Sequence, residues 1–328
     1  ANIKSDLFFD ISPNPREDEV SVGCKKYKDG SHDAIIAIGG GSAMDGGKLI
    51  CLTANNDIPL RDFEFELTPP KISKDNPFPK IITIPTTAGT GAETEITAMV
   101  TYLKEGMKFC MWHPDARPVL ALVDPELTLG LPPSLTAWTG VDAMVHAIEG
   151  YCVPGFNPLC DGSAIESLSL ISKSLYLAVE EPKNLVARGG MHVGSYLGGV
   201  AFLKGLGLVH AISHMVGAEF NTQHGLTNAI ILPVVLRYNL SGMDEKVKRM
   251  SEAMQFEDHS IEAFITNIEK MLDRLNIPKS LSEIGVPEDC VERIAKKAMK
   301  DQAFATNPKI ATLEEVKEMT LASIKKAR

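Results

Sequence analysis

Apolar residues recur along this chain with two different periods, and the change falls near residue 132. Up to that point short apolar runs of strand length alternate with helix-length stretches, the pattern of a parallel sheet with helices on its faces. Asp6 to Ile11 is predicted as a strand, and Asn14 followed by Pro15 as the N-cap and first residue of a helix. Then come an apolar strand over Ala34–Ile38, a helix from about Ala43 to Ala54 and a second buried strand over Lys80–Ile84, with the Pro-rich connection Thr68–Pro79 before it. Ile96–Leu103 and Met107–Trp112 flank Glu105-Gly106 as a hairpin, and Val119–Val123 reads as the last strand.

Beyond Leu131-Pro-Pro-Ser134 the helical period takes over and strand signals stop. Helices are predicted over 134–151, 159–178, 184–203, 208–216, 225–239, 259–275, 287–300 and 312–326. The expected division is an α/β domain over 1–132 and an all-helical domain over 133–328.

Composition narrows the classes open to this fold. A chain of 328 residues with 44% hydrophobic and 23% charged positions is an ordinary water-soluble globular protein long enough for two cores. Its net charge of -9 disfavours nucleic acid and anionic membrane as partners, since both reward clustered Lys and Arg. The start ANIKSDLFFD has neither a basic stretch nor an apolar signal core, so the cytoplasm is the expected location. The six cysteines form no CxxC pair and read as free thiols.

The helical half carries the candidate chemistry. Asp142 and His146 in TGVDAMVHAIEGY stand four apart, which puts a carboxylate and an imidazole on one helix face. His210 and His224 are fourteen apart, with His214 one turn beyond His210 and Gly217 as the expected break that lets the chain return. Three imidazoles and one carboxylate are a donor set for zinc or ferrous iron that leaves a position open for a substrate oxygen. A zinc protease would need HExxH, and position 211 is alanine.

Two loops in the α/β half suit a nucleotide. Gly39-Gly40-Gly41-Ser42 joins a strand to a helix, where backbone N–H groups can hold a pyrophosphate, although Met44 stands where the usual fingerprint has its third glycine. Ile84-Pro-Thr-Thr-Ala-Gly-Thr-Gly-Ala-Glu93 follows the next strand and offers several hydroxyls. With the metal residues in the helical half, the active site is expected in the cleft facing the α/β domain.

GGGSAMDGGK, IPTTAGTGAE, VDPELTLGLPP, TGVDAMVHAIEGY, VHAISHMVGAEFNTQHG and NPKIATLEEVKEM occur in this order, and with them the chain resembles the iron-containing (group III) alcohol dehydrogenase family over nearly its whole length. The resemblance implies a dehydroquinate synthase-like fold, with an N-terminal nucleotide-binding domain and a helical metal domain. It implies oxidation of an alcohol, or reduction of an aldehyde, with NAD or NADP. Asp142, His146, His210 and His224 then map to the metal ligands, for Fe2+ with Zn2+ as the alternative, and His214 to the histidine near nicotinamide and substrate. Gly39, Gly40, Gly41, Ser42 and Asp45 map to the pyrophosphate loop, Thr86, Thr87 and Thr90 to the threonine loop, and Lys108 to a lysine near the ribose.

The family's sheet opens with one more βα unit, so the N-terminal domain is expected to lack its first unit in this sequence. AETEIT is also more acidic than the resemblance leads one to expect. The expected partners are a small alcohol or aldehyde and, as a homodimer, a second copy. A polyol dehydrogenase or dehydroquinate synthase-like lyase, and an inactive nucleotide- or metal-binding homologue, are the competing readings.

Overall fold

The structure, a computed structural model, describes residues 4–328. The chain divides into two compact units, 1–86 with 92–124, and 87–91 with 125–328. The threonine loop is thus split: Thr86 belongs to the first unit, while 87–91 is embedded in the second.

In the first unit, α1 (Glu17–Asp29) precedes β1 (Ala34–Gly39), α2 (Gly41–Ala54) and β2 (Lys80–Pro85). The hairpin strands β3 (Thr97–Tyr102) and β4 (Met107–Trp112) and the short β5 (Leu120–Ala121) follow. β1, β2 and β5 form a parallel sheet in the order β1-β2-β5, with Ala34 opposite Lys80 and Ile82 opposite Leu120. One face of β1 is pressed on α2, where a Cβ on Gly47 would lie 2.7 Å from the Ala37 Cβ. On the other face Ile36 and Ile38 stay more than half exposed, unlike the buried strand read from their apolarity.

Two N-terminal expectations are corrected. Asp6–Ile11 forms no strand; Phe8 and Ile11 instead pack against α1 and α2 near Gly23 and Gly46, while Leu7 and Phe9 face outward. The first helix begins at Glu17 with Arg16 as N-cap, not at Pro15 after Asn14. Pro15 and Arg16 are drawn into strand-like pairing, since Thr101 N donates to Pro15 O at 2.7 Å, so helical geometry starts only beyond them.

The acidic AETEIT segment folds onto a nearly buried lysine. Lys48 Nζ donates to Thr97 O at 2.7 Å and lies 3.7 Å from Asp45 Oδ1. Burial raises the Asp45 and Glu93 carboxyls, and it pushes Glu95 from 4.5 up to about 8 while Lys48 pulls the other way. A carboxyl with a raised folded pKa holds its proton more tightly folded than unfolded. Its contribution is therefore full below about 4.5 and is lost as pH rises through about 8. Glu95→Gln is expected to flatten the fall of Tm between pH 5 and 8, read by thermal scans across that range. A profile parallel to that of the parent would contradict the assignment.

The second unit is helical: α3 (Pro133–Cys152), α4 (Pro158–Glu180), α5 (Leu185–Ala201), α6 (Leu208–Phe220), α7 (His224–Asn239), α8 (Asp244–Ala253), α9 (Ile261–Arg274), α10 (Val291–Ala298), α11 (Gln302–Ala305) and α12 (Leu313–Lys325). The sequence reading missed α8, whose stretch DEKVKRMSEA buries only Val247, Met250 and Ser251. Among the described residues no single helix is long and apolar enough to cross a membrane; only the bent pair Leu185–Lys204 with Leu208–Phe220 meets that length and composition. All six cysteines are free.

Candidate metal centre

α3 carries Asp142 and His146 on one buried stripe, as the spacing predicts. α6 runs through Gly217 to Phe220, and the chain turns at Asn221, which adopts φ 53 and donates its N–H to Gly217 O at 3.0 Å. The expected break at Gly217 is thereby corrected: the left-handed conformation that ends a helix falls on asparagine, which tolerates it. Gln223 then caps α7 by accepting from Leu226 N at 2.6 Å, which places His224 first in that helix. α7 lies hard against α3, where a Cβ on Gly225 would stand 2.4 Å from the Trp138 carbonyl oxygen.

The four residues offer ligand atoms that all lie within 4.8 Å of one another. Asp142 Oδ1 stands 3.8 Å from His146 Nε2, 4.0 Å from His210 Nε2 and 3.7 Å from His224 Nε2. Asp142, His146 and His210 are buried, and the His224 side chain keeps 25% exposure.

Contacts on the far side of the rings fix the tautomers. His146 Nδ1 lies 3.2 Å from Gly89 O, an atom that only accepts, so Nδ1 carries the proton and Nε2 keeps its lone pair. His210 Nδ1 lies 2.7 Å from Glu149 Oε2, with the same consequence. Burial pushes His146 down to about 4, against the opposite pull of Asp142, so this imidazole is neutral near pH 7. Neutral rings presenting Nε2 to a buried carboxylate fit a divalent first-row cation.

Glu149 escaped the sequence reading, although it extends the Asp142/His146 stripe by three residues. Its second oxygen accepts from Val209 N at 2.8 Å, and Asn307 Oδ1 accepts from Leu208 N at 3.0 Å. The N-terminus of α6, two residues before His210, is therefore anchored by α3 and by the NPKIAT segment.

His214 stacks on His224 at 5.4 Å between ring centroids, and its Nδ1 lies 2.9 Å from Asp301 Oδ2. Asp301, also missed, is buried and accepts from Ala303 N at 2.8 Å. Nothing in the local sequence links it to a histidine 87 positions away.

The candidate nucleotide residues fall in three groups. Gly39 has φ 148, a conformation that suits glycine, and a Cβ there would stand 2.6 Å from the Ala43 Cβ. Gly40 is the N-cap of α2 and supplies no side-chain cap, and the Ser42 hydroxyl donates to Pro13 O. Asp45 turns inward, accepting from Met99 N at 3.1 Å. Lys108 lies on β4 opposite Thr101, and its charge acts on Asp45.

Thr86 N donates to Gly39 O at 2.8 Å, within the first unit. Thr87 Oγ1 is buried and makes no hydrogen bond. Thr90 is partly buried. The same loop carries Gly89, whose carbonyl orients His146 and whose added Cβ would stand 2.5 Å from Thr139 O.

Comparison with known proteins agrees with this layout. The family model described as iron-containing alcohol dehydrogenase matches residues 1–125, and that described as Fe-containing alcohol dehydrogenase family, C-terminal, matches 136–324. The chain is 34% identical over 320 residues to an NAD-dependent methanol dehydrogenase of Bacillus methanolicus, covering 95% of this chain and 83% of that protein. It is 36% identical over 322 residues to lactaldehyde reductase of Escherichia coli (strain K12), covering 95% and 82%. A solved structure of 1,3-propanediol oxidoreductase superposes with a TM-score of 0.91 at 32% identity, covering 97% of this chain and 84% of that one. The chain belongs to the iron-containing alcohol dehydrogenase family and is an oxidoreductase of that type.

Proposed function

We propose that the protein interconverts a short primary alcohol or diol and its aldehyde, with ferrous iron held by Asp142, His146, His210 and His224 and with NAD as hydride carrier. The observation that carries this reading is the convergence of three imidazoles and one carboxylate within 4.8 Å. Relatives named methanol dehydrogenase, lactaldehyde reductase and 1,3-propanediol dehydrogenase support the substrate class. When bound, the ferrous ion supplies Lewis-acid polarisation of the alcohol or carbonyl oxygen, and nicotinamide supplies or accepts the hydride.

The residues of the chain do the rest. Gly89 and Glu149 keep the Nε2 atoms of His146 and His210 unprotonated and aimed inward. Asp301 accepts from His214 Nδ1, which leaves His214 Nε2 as the atom to take a proton from the alcohol and pass it to solvent. Backbone N–H groups at Gly39, Gly40, Gly41 and Ser42, with the hydroxyls of Thr86, Thr87 and Thr90, bind the dinucleotide. Lys108 serves the ribose, and Asp45 holds Lys48 and β3 behind the loop. The assembly is a homodimer in the cytoplasm, a reducing compartment that suits six free thiols.

The test is an anaerobic assay of iron-reconstituted protein against short alcohols, diols and aldehydes, with NAD(H) and NADP(H) in parallel and zinc as the alternative metal. Net turnover of nicotinamide with at least one short substrate is expected. A filled metal site with no hydride transfer for any pair would overturn the reading. Phosphate release from a cyclising substrate without net cofactor turnover would point to the lyase branch of the fold instead.

A further inference from the structure

We infer that Asn228 is a positioning residue of the metal centre, one whose side-chain amide sets the orientation of the Asp142 carboxylate. The inference rests on reading the quartet as a metal site. Asn228 lies one turn after His224 in α7 and is fully buried. Its Nδ2 stands 2.7 Å from Asp142 Oδ1, 3.1 Å from His210 Nε2 and 3.1 Å from His224 Nε2. The Asp142 oxygen and the unprotonated His210 Nε2 are both acceptors, so both hydrogens of the NH2 group are called for on this side, with the His224 ring beside them.

The opposite atom, Oδ1, is buried without a hydrogen bond, an arrangement that ordinarily destabilises a fold. Turning the amide over would aim that oxygen at a carboxylate oxygen and two imidazole nitrogens, so the local charge fixes the orientation. The protons of His146 and His210 sit on Nδ1, so neither ring offers one to Asp142 from Nε2. The Asn228 amide does, and the bond it makes pins the carboxylate rotamer with Oδ1 facing the three Nε2 atoms. His210 and His224 would present their Nε2 atoms to a bound cation, and the Asn228 amide would hold Asp142 in place beside them.

The experiment titrates Co2+, as a spectroscopic stand-in for ferrous iron, into the metal-free parent, Asn228→Ala and Asn228→Leu. Affinity is read by chelator competition, the ligand field by visible absorption, and the fold by thermal unfolding. Leucine keeps the volume without a donor and alanine removes both, so at least one variant is expected to fold. The expected result is one equivalent bound in every case, with affinity lower by about 10–100-fold in the variants and a cobalt spectrum displaced from that of the parent. Parent-like affinity and spectrum in a folded variant would overturn the inference. Weaker binding with an unchanged spectrum would also overturn it, leaving Asn228 a packing role alone. A parent that binds no cobalt would refute the metal site itself, an outcome distinct from these.

Discussion

Asp142→Asn is expected to leave a folded protein that no longer retains its metal and loses kcat/KM by at least about a thousandfold. The substitution keeps the shape of the side chain and removes the one anionic donor of the set. Asp142 is buried in the apolar interior of α3, and its Oδ1 is the atom on which the three Nε2 atoms converge at 3.7 to 4.0 Å. Without that charge only three imidazoles remain, with no anionic donor to offset the cost of bringing a divalent cation out of water. Losing Lewis-acid polarisation removes several kcal/mol of transition-state stabilisation, and about 4 kcal/mol corresponds to about a thousandfold. Metal content after reconstitution and desalting, measured beside NADH oxidation, decides the matter. A variant that keeps a full equivalent of iron and parent-like turnover would remove Asp142 from the site.

Glu149 is expected to show two separable effects. Its oxygens serve different partners, one the Val209 N–H at the start of α6 and the other the Nδ1–H of His210. Glu149→Ala leaves a buried backbone donor unsatisfied and empties space beside Gly207, for a loss of roughly 2–4 kcal/mol in stability. It also frees the His210 tautomer, with metal affinity falling about 10–100-fold. Glu149→Gln separates the two roles. Its single carbonyl oxygen can still accept from Val209, but its NH2 faces His210 Nδ1 and moves the ring proton to Nε2, the atom the metal needs. Stability within about 1 kcal/mol of the parent is expected for glutamine, with the affinity loss retained. Thermal unfolding and chelator competition on the two variants read these quantities separately. Equal metal affinity in glutamine and parent would show that Glu149 only caps α6.

The legible parts of the site are those that repeat within one element. Asp142 and His146 share a helix face by spacing alone, and the hydroxyl- and glycine-rich loops stand out after apolar strands. What orients the ligands was hidden because it arrives from elsewhere in the chain: Gly89 reaches His146 from 57 positions away, Asp301 reaches His214 from 87 and Asn228 reaches Asp142 from 86. Glu149 was the exception, since Asp142, His146 and Glu149 fall on one helical stripe and a buried third acid there is a signal in itself. The strand expected over Asp6–Ile11 failed for a related reason. A short apolar run can be covered by helices as well as by a partner strand, and here Phe8 and Ile11 lie against α1 and α2 near Gly23 and Gly46. The helix missed at Asp244–Ala253 buries too few side chains to mark its period.

The most direct test of the metal-dependent hydride chemistry follows deuterium from 4-deuterated NADH into a short aldehyde, with the protein iron-loaded, chelator-stripped and reloaded. The expected result is one deuterium on the carbinol carbon of the alcohol formed, from one face of the nicotinamide, absent after stripping and restored by iron. Transfer that persists in the stripped protein, or a fully iron-loaded protein that transfers none, would contradict the assignment of Asp142, His146, His210 and His224 to the centre of the reaction.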